Sequence, residues 1–314
     1  MTLFQGWADS PATGAYQEQE VVETFRQAVA DTVWLPFAKK MNISSGQSIT
    51  IPATSDVDLP TDDSLAETES IPIDKLTITA KTISPDEKGR AVQVTRKNMN
   101  RSPIDLLAEH RARLSEQMAL SMDRTLATAF QSGQLKYAPT GAASYTLATA
   151  GSFTAAALSN PNFYHIRKLR DLAYRTYLMP KLPNGKYAYV SSTAGVRGIL
   201  DDPEFLEINK NGNREIFSKN MVGTIADVEI FEDNHQLADN VGTNSDVGEG
   251  VFISKDSVYY AMIEAPSIKF DASEGVSTSF GRFVTLAWYA DWAAGTSTDS
   301  AVAGFARLIH VGST

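Results

Sequence analysis

Apolar residues recur at three- and four-residue steps through one long stretch: Ile104, Leu107, Leu114, Met118, Met122, Leu126 and Phe130. That spacing predicts a helix over 102–133 with a single apolar stripe, and Glu109, Arg113, Glu116, Asp123 and Arg124 fall largely off it. Ser102 as N-cap, Pro103 at the first helical position and Asp105 near the positive end of the dipole mark the start, and Gly133 marks the stop. Such a helix is roughly 45 Å long at 1.5 Å per residue. On pattern alone it is a core-facing helix, so function has to come from its surroundings.

Before it, residues 1–16 are rich in small and turn-forming types and predict an extended arm. Val21, Phe25, Ala28 and Thr32 then predict a helix from 17 to about 40 that ends near Pro36. Period-two alternation predicts strands over 47–52, 71–83 and 90–97, and residues 45–97 together predict a projecting β-hairpin. After the long helix come a loop or weak hairpin over 136–152, a helix over 162–179, a strand over 187–192 and a short helix over 193–200. The remainder predicts strands over 221–232, 251–254, 257–264, 280–292 and 302–311, with a Gly/Asn/Asp loop at 239–250. Strands and helices do not alternate as βαβ units, so the class is α+β.

With 314 residues and 43 % hydrophobic content the chain can bury a substantial core. It has no cysteine, which removes disulfides, thiolate metal sites and cysteine nucleophiles. A net charge of -9 argues against tight nonspecific affinity for free nucleic acid. No apolar run reaches membrane-spanning length, and the N-terminus lacks the order of a secretory signal. No phosphate-binding glycine loop, nucleophile elbow or zinc-protease motif occurs, and His110, His165, His235 and His310 lie far apart in sequence. The expectation is therefore no catalytic residues, no cofactor and no metal; Asp239, Asn244, Asp246 and Glu249 could offer oxygen ligands but lack EF-hand order.

The charge pattern is sharper. Residues 53–70 hold Asp56, Asp58, Asp62, Asp63, Glu67 and Glu69 without a lysine or arginine, whereas Lys88, Arg90, Arg96, Lys97 and Arg101 follow with no acid among them. If the hairpin projects, its acidic tip and basic base meet only between neighbours, which points to head-to-tail association of identical chains. Arg167, Lys168, Arg170 and Arg175 form a second basic set on the 162–179 helix, read as a solvated face or a surface toward packaged nucleic acid.

The order of these parts resembles the major capsid proteins of tailed bacteriophages, the Hong Kong 97-type fold. The resemblance rests on the arm and helix, the acidic-tipped hairpin and the long helix that opens at Ser102-Pro103. It also rests on the run Glu116-Gln117-Met118-Ala119-Leu120-Ser121-Met122-Asp123-Arg124 within that helix. A strand, short helix and Asp-Asp turn over 189–203, followed by Val228, Ile230 and Glu232, make it most similar to the coliphage N-four-like branch. The resemblance implies an N-terminal arm with a helix over 1–44, an extended loop over 45–97 lying across an adjacent subunit, and a peripheral domain over 98–184 with 102–133 as its spine. It further implies an axial domain over 185–280 and returning strands over 281–314. The implied function is a self-assembling icosahedral shell around double-stranded DNA, located in the virion and assembled in the host cytoplasm. Implied partners are copies of itself in pentamers and hexamers, a separate scaffolding protein, a portal, a possible decoration protein, and packaged DNA through weak contacts. An encapsulin-type compartment and an α+β enzyme are the alternatives.

Overall fold

The structure is a computed structural model, and it describes residues 33–42, 48–54, 71, 78–102, 105–149, 158–205, 221–241, 245, 247–272, 280–297 and 304–312. The expected arm and most of its helix lie outside those residues, as do Asp58, Asp62, Asp63, Glu67 and Glu69.

The described chain enters with a single helical turn at Leu35–Phe37 and then strand β1 (Lys39–Asn42). The helix expected to end near Pro36 shows only this turn among the described residues; Ala38 is already extended, so no helix reaches residue 40. Strands β2 (Ile49–Thr54) and β3 (Ile78–Ile83) pair antiparallel as a two-stranded hairpin, and β4 (Asp86–Thr95) follows. Here too the sequence reading needs correction, because β4 does not join the hairpin. It pairs with a strand some two hundred residues later, a partnership that alternation within 45–97 has no means of encoding.

Helix α1 (Arg96–Arg101) is capped by the Thr95 hydroxyl, which accepts from the Asn98 amide at 3.2 Å. The long helix α2 (Leu106–Gln131) starts three residues later than expected: Asp105, not Ser102, is its N-cap and accepts from the Leu107 and Ala108 amides. Ser102 instead ends α1 with an extended backbone at ψ 133°, as the residue before a proline prefers. Strands β5 (Leu135–Gly141) and β6 (Ser144–Ala148) form a hairpin where a loop or weak hairpin was expected. Helix α3 (Phe163–Asp171) opens on an Asn162 cap and widens into a π-helical turn at Leu172–Thr176. Then come β7 (Tyr187–Ser192), α4 (Thr193–Leu200), β8 (Met221–Ile225), β9 (Val228–Asp233), β10 (Gly250–Ile253), β11 (Val258–Asp271), β12 (Phe283–Thr296) and β13 (Leu308–Val311).

Two sheets carry the molecule. One has seven strands in the order β6-β5-β13-β10-β7-β9-β8, the other four in the order β1-β11-β12-β4. Because β13 joins β5 and β7 joins β9 in parallel, the sheets do not follow the sequence divisions at 185 and 280: β5, β6 and β13 lie in the larger sheet and β11 in the smaller. Strand β7 is buried along its whole length, and its side chains alternate between two cores. Tyr187 and Tyr189 pack with Ile166 of α3, Ile199 of α4 and Phe252. Ala188 and Val190 face a second core with Leu126 and Phe130 of α2, Trp34, and Leu286, Trp288 and Trp292 of β12. The larger sheet is thus covered by α3 and α4 on one face and by α2 with the smaller sheet on the other.

Candidate assembly surface

Period-two alternation puts Lys88, Arg90, Val92 and Val94 on the same face of β4, the face turned toward α2. Val94 is buried and Val92 half-buried in the core, but toward the other end of the strand the same face becomes cationic. There α2 presents Gln117, Leu120, Ser121 and Arg124, and a groove of about 490 Å³ opens between strand and helix, closed at one side by His235 and Gln236 and floored by Trp288. A second groove of about 470 Å³ shares Ser121 and Arg124 and runs past Thr125, Thr128 and Ser132 to Lys81 of the hairpin and Thr296. Arg124 therefore stands between two open grooves along one flank of α2.

Lys88 is half-buried: its Nζ donates to Thr125 Oγ1 at 2.8 Å and sits 4.8 Å from the Trp292 ring. Burial lowers its pKa, opposed by the nearby Asp86 carboxylate. Arg90 and Arg124 are exposed, and among the described residues none of Lys88, Arg90 and Arg124 forms an ion pair. The structure thus divides the expected basic set. Lys88 and Arg90 join Arg124 at the groove, whereas Arg96, Lys97 and Arg101 are exposed on α1, beyond the far end of β4. Arg124 and Lys81 were not legible as members, because only the packing of α2 and the hairpin against β12 brings them near.

Below the groove lies a second feature that the periodicity of α2 assigns to the wrong face. Asp123 is 2 % exposed and points into the core, where its Oδ1 accepts from the Trp34 amide at 3.2 Å. The Trp34 ring is fully buried 5.2 Å from Phe130, and its Nε1 donates to Asp233 Oδ2 at 2.8 Å. Asp233 Oδ1 in turn accepts from the His235 and Gln236 amides at 2.9 and 3.1 Å. These two carboxylates tie the point where the N-terminal segment enters to the middle of α2 and to the end of β9. Burial, reinforced by the Asp233 charge, pushes Asp123 up to about 6 against the pull of the Trp34 amide.

The titratable cluster nearest to an enzymatic constellation lies elsewhere. Lys136 Nζ donates to the Gln131 carbonyl and approaches His310 Nδ1, both at 3.0 Å, while His310 Nε2 lies 3.7 Å from Glu249 Oε1. Glu249 Oε2 accepts from Gln131 Nε2 and the Ala238 amide, each at 3.3 Å. Burial and the neighbouring Lys136 charge depress His310 to about 3, and burial raises Glu249. The three residues are 3 to 8 % exposed and line neither groove, so the network works as an internal clamp between the end of α2, β5 and β13. His165 is likewise enclosed, with its ring nitrogens facing the Tyr137 hydroxyl at 2.8 Å and the Gly141 carbonyl at 2.9 Å.

In the 239–250 loop, Asp239 Oδ1 accepts from the Ala194 amide and Glu249 is turned inward, while residues 244 and 246 lie outside the described residues. Among the described residues no group of three acidic or histidine side chains could hold a metal, and no helix is long and apolar enough to cross a membrane. Of the second basic set, Arg170 pairs with Asp171 at 3.1 Å and lies 5.7 Å from the Tyr174 ring, whereas Arg167 and Arg175 are exposed.

No protein-family model matches the chain, and no curated protein does. Solved structures do. A capsid chain of cyanophage Pam1 superposes with a TM-score of 0.69 over 96 % of this chain and 98 % of that one, at 13 % identity. The capsid of cyanophage P-SCSP1u gives a TM-score of 0.68 over 94 % and 92 % of the two chains at 12 % identity. The head of Helicobacter pylori bacteriophage KHP40 gives 0.64 over 99 % and 97 % at 13 % identity. The fold is the Hong Kong 97 type of tailed-phage capsids.

Proposed function

We propose that this chain is the major capsid protein of a tailed bacteriophage, a subunit that self-assembles into the icosahedral head shell around double-stranded DNA. The observation that carries the reading is two-way coverage. Capsid chains align over almost their whole length with almost the whole of this one, so the match spans the fold and is not confined to a shared motif. The described geometry supports a structural role over an enzymatic one, since the buried Lys136–His310–Glu249 clamp lines neither groove. Phage heads among the similar structures favour a viral shell over an encapsulin-type compartment.

On this reading 45–97, with the β2–β3 hairpin, is the extended loop that lies across an adjacent subunit, 98–184 is the peripheral domain with α2 as its spine, and much of 185–280 forms the axial part that meets other copies around five- and sixfold axes. The order of motifs in sequence supports the coliphage N-four-like branch. The protein works in the virion after assembly in the host cytoplasm, with copies of itself in pentamers and hexamers. A separate scaffolding protein, a portal, packaged DNA touched weakly and a decoration protein complete the expected set of partners. Sedimentation tests the central point: the expressed protein, alone or with a candidate scaffolding protein, is expected to run as rings or shells. A chain that stays monomeric under both conditions contradicts the proposal.

A further inference from the structure

The polar lining of the α2–β4 groove is rich in donors, and its side-chain acceptors are already engaged. Lys88 Nζ donates to Thr125 Oγ1 at 2.8 Å, and that hydroxyl in turn donates to the Ser121 carbonyl at 3.0 Å. The Gln117 side-chain oxygen accepts from Trp288 Nε1 at 3.4 Å, which leaves its amide group as a donor. Glu87, the acid of this lining among the described residues, falls on the opposite face of β4 from Lys88 by strand alternation, and its carboxylate accepts from the Tyr289 hydroxyl.

Cations from separate elements converge on these donors. Lys88 and Arg90 share one face of β4, roughly 7 Å apart at about 3.4 Å per residue. Arg124 lines the same groove from α2, and His235 closes its side. Among the described residues none of Lys88, Arg90 and Arg124 forms an ion pair. Like charges gathered in this way repel one another unless an anion lies between them. A guanidinium offers phosphate oxygens a planar fork and an ammonium offers them a point charge, so the set suits phosphate groups. The volume of about 490 Å³ is that of a small-ligand site, and the net charge of -9 works against a long polynucleotide that would continue over acidic surface.

We propose that the Lys88–Arg90–Arg124 groove binds a compact oligophosphate anion of the kind carried by a nucleoside triphosphate. Arg90 and Arg124 hold phosphate oxygens at the rim, Lys88 supplies its charge from the half-buried side, and the Gln117 amide and Ser121 hydroxyl add neutral donors. A lone carboxylate brings one negative charge to three cations, whereas a triphosphate brings enough to match them. The site belongs to the single subunit and does not depend on assembly into a shell.

Isothermal titration of gel-filtered, full-length subunits with sodium tripolyphosphate tests the site. The parent is expected to bind one anion per chain, saturably, with a dissociation constant below millimolar. R90Q/R124Q, which changes exposed side chains only, is expected to melt like the parent and bind at least tenfold more weakly. R167Q/R175Q removes the same charge from exposed positions on α3 and is expected to bind within twofold of the parent. Lys88→Met, which keeps an apolar stem against Trp292, should also weaken binding at least tenfold. Absence of saturable binding by the parent overturns the proposal, and so does an equal loss in the two double variants, which is the mark of unspecific charge attraction. A single-stranded thymidine oligonucleotide is the second probe. If it binds at least tenfold more tightly than tripolyphosphate and loses that affinity in R90Q/R124Q, the compact ligand is overturned in favour of a polynucleotide. Because binding is read on the separate subunit, its failure and a failure of the shell reading are distinct results.

Discussion

Asp123 is the residue whose environment departs furthest from what its place in the sequence suggests. Helical periodicity puts it beside Arg124 on the polar side of α2, yet it is buried and holds the Trp34 amide. Its carboxyl, ordinarily near 3.8, is pushed up to about 6, chiefly by burial. The sign follows from linkage. The folded state resists ionisation, so the contribution of this group is fully present below the unfolded value and is lost as pH rises through about 6. His310 acts in the opposite sense: held neutral to about pH 3, it costs stability as acid protonates the unfolded chain. Replacing Asp123 by Asn removes the first effect and leaves the second. The stability of the parent relative to D123N, read by urea unfolding, should therefore rise by on the order of 3 kcal/mol between pH 7 and about pH 4. A pH-independent difference would show that Asp123 is not held as described.

At the scale of elements, α2 and the alternating strands were legible because their periods are strong and local. The N-cap of α2 shifted from Ser102 to Asp105 because a carboxylate three residues on was equally able to cap, and period alone does not choose between them. The pairing of β4 with β12 was not legible, since alternation specifies a face and never a partner. The groove inherited that difficulty: Lys88 and Arg90 could be named from sequence, but Arg124 and Lys81 became members only through tertiary packing. Gly89 provides a test of the β4–β12 pairing. A Cβ at this position would lie 2.8 Å from the Trp288 carbonyl oxygen, which belongs to the backbone and has little room to yield. Strand propensity alone predicts that Gly89→Val stabilises β4; the packing predicts a loss of roughly 1–3 kcal/mol and faster amide exchange along β4. A gain in stability would contradict the register.

For the whole molecule, the two larger sheets share a core built on Trp34, Phe130, Trp288 and Trp292 without cysteine chemistry, and β2 and β3 pair as a separate two-stranded sheet. The account stands or falls on closed assembly. Cryo-electron microscopy of particles formed by the purified protein, with and without a candidate scaffolding protein, measures this directly. Closed shells of pentamers and hexamers are the expected result. Monomers, or open aggregates without five- or sixfold order, would contradict it.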